Sequence, residues 1–302
     1  MRILLAGASG FLGRHLARRL TADGHDVIRL VRHATPGPGE VPWQPATGQL
    51  DPAVLTDVDA VINLAGAGIA DRRWTARYRE EIRRSRVDTT TTLARAIAAA
   101  PADRRPAALL NASAVGWYGD TGDRAVTEDA PAGEGFLADV CRAWEAATRP
   151  AEEAGVRVVR LRTGFPLHRD GGLLKRQLLP FRLGVGGRLG SGAQWLPWIS
   201  LADWLSAVVF LLTHDVAGPV NVVGPAPVTN ADFTRALARE LRRPAVLPIP
   251  AIALRVLLGQ FATAALVSSR VLPDVLTRAG FRFAHPDVSA ALRAALADAR
   301  HP

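Results

Sequence analysis

The chain has very little cysteine, lysine and tyrosine, and the shortage of cysteine excludes two kinds of site. Cys141 is the only cysteine among the 302 residues, so the chain can form neither an internal disulfide nor a zinc site built from cysteines. The longest uncharged apolar stretch, between Arg255 and Arg270, is shorter than the roughly 20 residues that span a bilayer. The apolar run before Gly7 is too short for a signal peptide. These absences predict a cytoplasmic protein.

The formal net charge is +9, and nearly all of the positive charge comes from arginine, since Lys175 is the only lysine. The densest run of arginines lies between Arg72 and Arg86, where Glu80 and Glu81 interrupt it on a helical pattern. Such mixing is typical of a solvated helix face rather than of a nucleic-acid surface. We therefore expect neither a nucleic-acid nor a membrane partner, and we leave a homodimer open.

Apolar runs and amphipathic segments alternate as far as Leu161. Runs that suit buried parallel strands occur at residues 2–6, 26–31, 60–64, 107–112 and 156–161. Segments with apolar residues at helical spacing occur at residues 11–22, 74–99 and 136–154. This alternation predicts right-handed βαβ crossovers and an α/β fold, a Rossmann doubly wound parallel sheet.

The pattern changes after Leu161. A stretch rich in glycine and tryptophan covers residues 171–199, followed by a short helix, a strand at 219–223 and a helix that Thr229 and Asp232 can cap. This order predicts a smaller C-terminal α/β part on the substrate side. The predicted domains are a Rossmann domain at residues 1–243, with substrate-side insertions at about 165–215, and a C-terminal subdomain at residues 244–302.

Three glycines follow the first strand and open the first helix. Gly7 suits a tight turn, Gly10 a close approach of the backbone to a pyrophosphate, and Gly13 close packing of the helix on the strand. The helix N-terminus adds unpaired N–H groups and the positive end of its dipole. Because the glycines stand between a strand and an amphipathic helix, they predict a dinucleotide site.

The end of the second strand predicts which dinucleotide binds. A site for NAD carries an Asp or Glu there, which holds the ribose 2′-hydroxyl. In this chain Arg32 follows the strand, and no acid occurs between Asp26 and Glu40. A guanidinium can pair with a 2′-phosphate, so the sequence favours NADP(H). The alternative is a surface arginine in a chain rich in arginine.

Further motifs resemble the extended short-chain dehydrogenase/reductase superfamily and, within it, the atypical epimerase-family proteins of the 39U-like group. Among them are Ser113-Ala-Val-Gly-Trp-Tyr-Gly119 and the blocks at residues 59–66, 73–74, 81–86, 144–145, 180–184, 187, 189–192 and 194. The resemblance covers essentially the whole chain. The tail from about Pro244 resembles the group's own C-terminal domain of unknown function.

The resemblance implies an NADP(H)-binding Rossmann core. The implied cofactor contacts are Gly7, Ser9, Gly10, Phe11, Leu12, Gly13, Arg32, Leu64, Ala65, Gly66, Glu81, Arg86, Ala112 and Phe165. For Leu64 and Ala65 the alternative is backbone packing. For Glu81 and Arg86 it is a salt-bridged surface, because a spacing of five does not place two residues directly above one another on a helix.

The superfamily that the chain resembles typically uses a Ser, a Tyr and a Lys four residues after the Tyr. This chain has no Tyr-x-x-x-Lys, because the residue four places before its only lysine is Gly171. On the helix that should carry the pair, the frame set by Glu145 puts Leu137 and Cys141 at these places, and a frame shifted by one gives Phe136 and Val140. Neither pair can transfer a proton.

Ser113, just beyond the fourth buried run, remains the candidate catalytic hydroxyl. Counting back from Tyr118 puts Ala114 at the serine place instead, and a hydroxyl bonded to the backbone is the alternative for Ser113. A second departure lies at Ser200 and Ala202. Extended members usually show a histidine and a paired acid there, and only Asp203 remains in this chain.

Trp117, Gln194 and Trp198 are the candidate substrate residues, beside the glycine-rich stretch at 171–192. Aromatic side chains and glycines suit a flat or apolar ligand, whereas a tryptophan cluster in the core is the alternative. No His, Asp and Glu residues show metal-ligand spacing.

The sequence therefore predicts an NADP(H)-dependent oxidoreductase-like protein whose small-molecule substrate is unknown. Its chemistry would depend on the nicotinamide with Ser113 or bound water. Two alternatives stay open: a non-catalytic NADP(H)-sensing or scaffold protein, and a nucleotide-sugar epimerase, which the missing Tyr/Lys pair disfavours.

Overall fold

A seven-stranded sheet forms the centre of the fold. The computed structural model describes residues 1–33, 35–245, 248–250, 252–253 and 259–297. The strands of the sheet are β1 (Arg2–Ala6), β2 (Asp26–Val31), β3 (Glu40–Pro42), β4 (Ala60–Asn63), β5 (Ala108–Ala114), β7 (Arg157–Thr163) and β11 (Gly218–Val222). Their order is β11-β7-β5-β4-β1-β2-β3. The pairs β1–β2, β1–β4, β2–β3 and β4–β5 are parallel, and the predicted Rossmann-like α/β fold is confirmed.

The chain divides into two compact units, and unit 1 comprises residues 1–113, 139–161 and 208–220. Its helices are α1 (Phe11–Ala22), α2 (Ala76–Ala99), most of α3 (Phe136–Ala146) and α4 (Arg149–Glu153). Leu16 and Leu20 of α1 are fully buried, as are all four residues of β4. The apolar runs found in the sequence thus became buried strands because helices cover them.

The sequence patterns predict the strand positions more accurately than the helix ends. The predicted helix at 136–154 is in fact two helices, α3 and α4, and Pro150 stands in the first turn of α4. A proline there needs no N–H partner, whereas inside a continuous helix it would remove a hydrogen bond and clash with the preceding turn. Helix α2 begins two residues later than predicted, because the hydroxyl of Thr75 caps it by accepting a hydrogen bond from Tyr78 N.

Unit 2 comprises residues 114–138, 162–207 and the described parts of 221–302. Its short strands are β6 (Ala125–Val126), β8 (Phe165–Leu167), β9 (Trp195–Leu196), β10 (Trp198–Ser200), β12 (Val228–Thr229) and β13 (Arg270–Val271). Its helices are α5 (Gly172–Arg182), the first half of α6 (Leu201–Thr213), α7 (Asn230–Leu241), α8 (Phe261–Ala265), α9 (Asp274–Arg278) and α10 (Val288–Ala297). Their core contains Phe181, Trp198, Phe233 and Leu292.

The strands of unit 2 pair over long distances in the sequence. Strand β13 pairs with β6 in parallel, β10 pairs with β8 in parallel, and β12 pairs with β9 in antiparallel orientation. Such two-residue and three-residue strands carry no periodic pattern, so the sequence predicted none of these six. The predicted domain boundary at residue 243 stays a prediction. Among the described helices, none has both the length and the hydropathy needed to cross a membrane.

Candidate dinucleotide site

The turn between β1 and α1 is built by glycines that leave no space for a side chain. Gly7 has a φ of +81°, and a Cβ atom added there would lie 2.7 Å from the carbonyl carbon of Leu64. A Cβ added at Gly13 would lie only 2.0 Å from the carbonyl oxygen of Gly7. The N–H of Gly10 donates to that same oxygen at 3.0 Å. The turn therefore brings the start of α1 directly against β1 and the loop after β4.

The N-terminus of α1 has the features of an anion site. Its N-cap residue, Gly10, provides no side-chain hydrogen bond to the first turn, and the first turn contains no acidic residue. The first N–H groups of a helix have no partner within the helix, and they lie at the positive end of its dipole. A phosphate group can approach such an end without displacing a side chain. Ser9 and Gly10 are exposed, and Phe11 and Leu12 are partly buried.

Arg32 follows the end of β2 and is exposed. Glu40, the acid at the start of the neighbouring strand β3, lies 3.4 Å from Nη2 of Arg29 and 3.5 Å from Nε2 of His33. Within the part of the chain that the structure describes, Arg32 itself has no ion-pair partner. The residue predicted to select the dinucleotide is thus available to a phosphate, and Glu40 of the neighbouring strand lies close to two other basic side chains.

The loop after β4 lies beside the glycine turn and carries three of the implied cofactor contacts. The N–H of Leu64 donates to the carbonyl of Ala6 at 3.0 Å, and that of Ala65 donates to Oδ1 of Asn63 at 3.1 Å. Gly66 is exposed, and a Cβ added there would lie 3.2 Å from Cγ of Arg86. Hydrogen bonds to Ala6 of β1 and Asn63 of β4 therefore fix the backbone of this loop.

Arg86 on α2 is packed against this loop, whereas Glu81 is directed elsewhere. The guanidinium of Arg86 lies 5.0 Å from the ring centre of Trp144, and its Nη1 donates to the carbonyl of Ile82 at 3.0 Å. Burial lowers the pKa of Arg86 from its ordinary value. Glu81 is exposed, and its carboxylate lies 3.9 Å from Arg72. The structure therefore brings only Arg86 of this pair to the loop.

A buried polar cluster that the sequence reasoning missed fixes the ends of β4 and β5. Nδ2 of Asn63 donates to Oγ1 of Thr90 at 3.0 Å and to Oδ1 of Asn111 at 2.8 Å. Thr90 donates to Asn111 and accepts from Nε1 of Trp144, each at 3.0 Å. The signal was present in the sequence, since an asparagine stands near the end of each of two buried strands. These bonds hold the edge of the sheet on which the candidate site lies.

Ser113 is buried and bonded to a carboxylate rather than to the backbone. It is 3% exposed, and its Oγ donates to Oε1 of Glu145 at 2.6 Å. Oε2 of Glu145 lies 4.0 Å from Arg160. Because side chains alternate along a strand, Ala112 and Ala114 lie on the opposite face of β5 from Ser113. The catalytic role of Ser113 and the cofactor contact of Ala112 stay predictions.

Tyr118 belongs to a buried network within unit 2. Its hydroxyl donates to Oδ1 of Asn221 at 2.7 Å and accepts from Nη1 of Arg162 at 3.0 Å. Burial raises the pKa of Tyr118 to about 12, so the phenol stays protonated at neutral pH. Arg162 also lies 4.0 Å from the ring centre of Trp117, whose indole N–H donates to the carbonyl of Ala130. Both hydrogen bonds of the phenol are thus made to side chains of unit 2.

The remaining candidate residues lie in unit 2. Trp198 is only 1% exposed, and its indole N–H donates to the carbonyl of Ala226 at 2.9 Å. Gln194 is partly buried and donates to the carbonyl of Leu189 at 3.0 Å. Phe165 is partly buried, and its N–H donates to Pro197 at 2.7 Å. The roles of these residues and of Trp117 in ligand binding stay predictions.

The side chain of His285, from the C-terminal part, lies beside Ser200, the position where extended members usually show a histidine. Nδ1 of His285 lies 3.0 Å from Oγ of Ser200 and 3.4 Å from Oδ2 of Asp203. Ser200 also donates to Asp203 at 2.7 Å. No local pattern could reveal this, because His285 and Ser200 are 85 residues apart. Across the described ranges, no group of three His, Cys, Asp or Glu side chains could hold a metal ion.

Comparisons with known proteins agree with this geometry. The model of the NAD dependent epimerase/dehydratase family matches residues 3–224, and a model for a domain of unknown function, DUF1731, matches residues 249–295. An epimerase family protein of Mycobacterium bovis is 47% identical over 292 residues, covering 96% of each chain.

Two solved structures are similar over nearly the whole of this chain. The crystal structure of human epimerase family protein SDR39U1 with NADPH has a TM-score of 0.90 at 35% identity, covering 99% of this chain and 100% of that one. A nucleoside-diphosphate sugar epimerase from Corynebacterium glutamicum has a TM-score of 0.79 at 35% identity, covering 97% of this chain and 57% of that one. The family resemblance inferred from the sequence is confirmed.

Proposed function

Because this chain belongs to the NAD dependent epimerase/dehydratase family, we propose that it binds NADP(H) and acts as an oxidoreductase on a small molecule. The observation that carries the proposal is the open N-terminus of α1, where Gly7 and Gly13 exclude side chains and no acid or cap occupies the first turn. The human relative crystallised with NADPH supports the choice of cofactor.

The residues of unit 1 fit the two charged parts of this cofactor. The backbone N–H groups at the start of α1 would hold the pyrophosphate. Arg32, exposed and without an ion-pair partner among the described residues, would hold the 2′-phosphate. The loop at Leu64 and Ala65, which packs against Gly7, would support the dinucleotide beside the pyrophosphate.

When bound, NADP(H) supplies or accepts a hydride. The chain offers few groups that could move the accompanying proton, since it lacks the Tyr/Lys pair and its Tyr118 hydroxyl is bonded to Asn221 and Arg162. The hydroxyl of Ser113 at the end of β5 is held by Glu145, which keeps it oriented toward α3. The proton would therefore pass through Ser113 and Glu145 or through water.

A second candidate is a protein that binds NADP(H) without turning it over. The observation that favours it is that the hydroxyls of both Ser113 and Tyr118 are buried and already bonded within the protein. In this case binding of the dinucleotide would be the whole function, as in a sensor or scaffold.

Calorimetry with NADPH and NADH tests the cofactor assignment. We expect NADPH to bind more tightly, and Arg32→Gln to reduce that preference by about tenfold or more, because one charge-assisted contact is lost. Arg18→Gln, which removes an exposed positive charge from α1, is the matched control and should leave the preference unchanged. Absence of binding at millimolar concentration would overturn the proposal, and an unchanged preference in Arg32→Gln would overturn the role of Arg32.

Turnover separates the two candidates. Purified protein is mixed with NADPH and a panel of quinones, aldehydes and ketones, and oxidation of NADPH is followed by absorbance. Sustained oxidation supports the oxidoreductase, and its loss in Ser113→Ala, with an unchanged urea midpoint, supports a role for that hydroxyl. Binding without oxidation supports the sensor. Sugar nucleotides are tested separately because the Corynebacterium glutamicum structure bears the name of an epimerase. Their interconversion is followed by chromatography, since epimerisation causes no net oxidation of the cofactor.

A further inference from the structure

Arg86 is a partly buried cation that has no carboxylate partner in the part of the chain that the structure describes. Its Nη1 donates to the backbone carbonyl of Ile82, and its guanidinium lies over the face of the Trp144 ring. Neither contact carries a negative charge. Burying a charge is unfavourable unless an opposite charge or strong hydrogen bonds compensate it. The surroundings of Arg86 therefore keep a net positive charge.

Two of the three acids on the same helix lie close to other arginines. The carboxylate of Glu81 lies 3.9 Å from Arg72, and that of Asp88 lies 3.6 Å from Arg84. In the described ranges, no carboxylate lies within ion-pair distance of Arg86. Its charge consequently acts on whatever ligand enters the space beside Gly66.

The strand order tells which half of a dinucleotide would meet this charge. Strand β2, which ends near Arg32, lies on one side of β1, and β4 lies on the other side with β5 beyond it. With the pyrophosphate at the β1–α1 turn and the adenosine phosphate at Arg32, the nicotinamide extends toward β4 and β5. Gly66 follows β4, and Arg86 packs against it. Arg86 thus lies on the nicotinamide side.

We propose that Arg86 makes this site selective for the reduced cofactor, NADPH, over NADP⁺. The inference rests on the proposed function, since it requires that the dinucleotide binds. The oxidised nicotinamide ring carries a positive charge and the reduced ring is neutral, whereas the phosphates and the adenosine are the same in both. An uncompensated guanidinium beside the ring repels only the oxidised form. When both forms are present the site would therefore hold mainly NADPH, and a sensor would report the reduced pool.

The test compares the dissociation constants of NADP⁺ and NADPH in the same protein. We expect a ratio well above one in the wild type and a fall of about tenfold in Arg86→Gln. Arg86→Lys keeps the charge and should keep most of the ratio. Arg83→Gln removes an exposed charge from the same helix and is the matched control, with no change expected. The ratio cancels any general loss of affinity that a structural role of Arg86 would cause.

A second variant keeps Arg86 and introduces a carboxylate on α3 to compensate the charge of its guanidinium. Cys141 is buried on α3, one turn before Trp144, and interacts electrostatically with Arg86. Cys141→Asp should lower the ratio and Cys141→Ser should not. A wild-type ratio near one, or a ratio unchanged in both Arg86→Gln and Cys141→Asp, would overturn the inference while tight binding of both forms would leave the proposed function standing. Absence of all binding would overturn both.

Discussion

Helices α1 and α7 have the same length, 12 residues each, but their N-termini differ. Helix α7 is closed: the hydroxyl of Thr229 accepts from Asp232 N at 3.1 Å and donates to Oδ2 of Asp232 at 2.6 Å. Helix α1 begins at Gly10 with no side-chain cap. Side chains of this chain can therefore cap a helix N-terminus. The difference shows that the open end of α1 follows from the glycines, which leave its donors to a ligand.

One buried and one partly buried arginine repeat this contrast. Arg162 in unit 2 is 3% exposed, stacks on Trp117 and donates to the hydroxyl of Tyr118 and the carbonyl of Glu128. Arg86 in unit 1 stacks on one ring and bonds to one carbonyl. Arg162 is buried and bonded to groups of its own unit, whereas Arg86 can still bind a further partner.

The largest effect is expected from Gly13→Ala. The added methyl group would lie 2.0 Å from Gly7 O and 2.8 Å from Gly7 C, so α1 must move away from the turn. We expect the affinity for NADPH to fall by about two orders of magnitude and the free energy of unfolding to fall by about 2–3 kcal/mol. Calorimetry and urea denaturation measure the two effects.

Gly24→Ala is the matched control for this substitution. Gly24 has a φ of +82°, but a Cβ added there meets no atom within 4 Å. The change should cost about 1 kcal/mol of stability through the backbone alone and leave NADPH affinity unchanged. If Gly13→Ala bound NADPH as tightly as Gly24→Ala, the glycine turn would not be the dinucleotide site.

The sequence predicted unit 1 well because its elements are local and periodic. Strands β1 and β2 and helix α1 have the predicted bounds, since runs of apolar residues and a glycine-opened helix are local signals. The glycine turn followed from the backbone conformations that only glycine tolerates at Gly7. Strand β3 was missed because it is a three-residue strand that ends in proline.

The parts that the sequence could not predict depend on distant partners. His285 reaches Ser200, and the N–H of Val275 donates to Glu128, a residue 147 positions earlier. The bond from Ser113 to Glu145 likewise joins a strand to a helix 32 residues later. A motif gives the residue type, whereas the packed fold determines which group that residue forms a hydrogen bond with. For this reason the candidate catalytic hydroxyl could be named from the sequence, and its surroundings could not.

The substitution Glu128→Ala is expected to have the second largest overall effect, which is on the free energy of unfolding. Its Oε1 accepts hydrogen bonds from the N–H groups of Asn221 and Val275, and its side chain is buried. Glu128→Ala would leave both donors without an acceptor, which should lower the free energy of unfolding by about 3 kcal/mol. Urea denaturation checks this value, and an unchanged midpoint would contradict it. Glu128→Gln keeps an acceptor oxygen and should lose less stability.

Glu128 also predicts a dependence of stability on pH. Burial raises the pKa of this carboxyl above its ordinary value of 4.5, so the folded protein keeps a proton that the unfolded chain has already released. Its contribution to stability is fully present below 4.5 and is lost as the pH rises through the higher folded value. Glu128→Gln should remove this part of the profile, measured as the difference in urea midpoint between the two proteins at each pH. An identical profile in both would contradict the assignment.

Tyr118→Phe should have a smaller effect on unit 2. It removes a hydroxyl that donates to Asn221 and accepts from Arg162, leaving a buried acceptor and a buried donor each short of one bond. We expect a loss of about 1–2 kcal/mol in the free energy of unfolding. Any oxidation of NADPH should be unchanged at a temperature where the variant is folded. A loss of turnover without a loss of stability would instead make the phenol part of the chemistry.

Thr229→Ala should have the smallest effect, and it sharpens the comparison between the two helices. The substitution removes the cap of α7 and should lower the free energy of unfolding by about 1 kcal/mol. The Thr229 hydroxyl also lowers the pKa of Asp232, so in the variant that pKa should return toward its ordinary value, which an NMR titration measures. NADPH affinity should stay the same, because the closed end of α7 binds its own side chains. A change in affinity as large as that of Gly13→Ala would mean that the open and the closed helix ends are not functionally distinct.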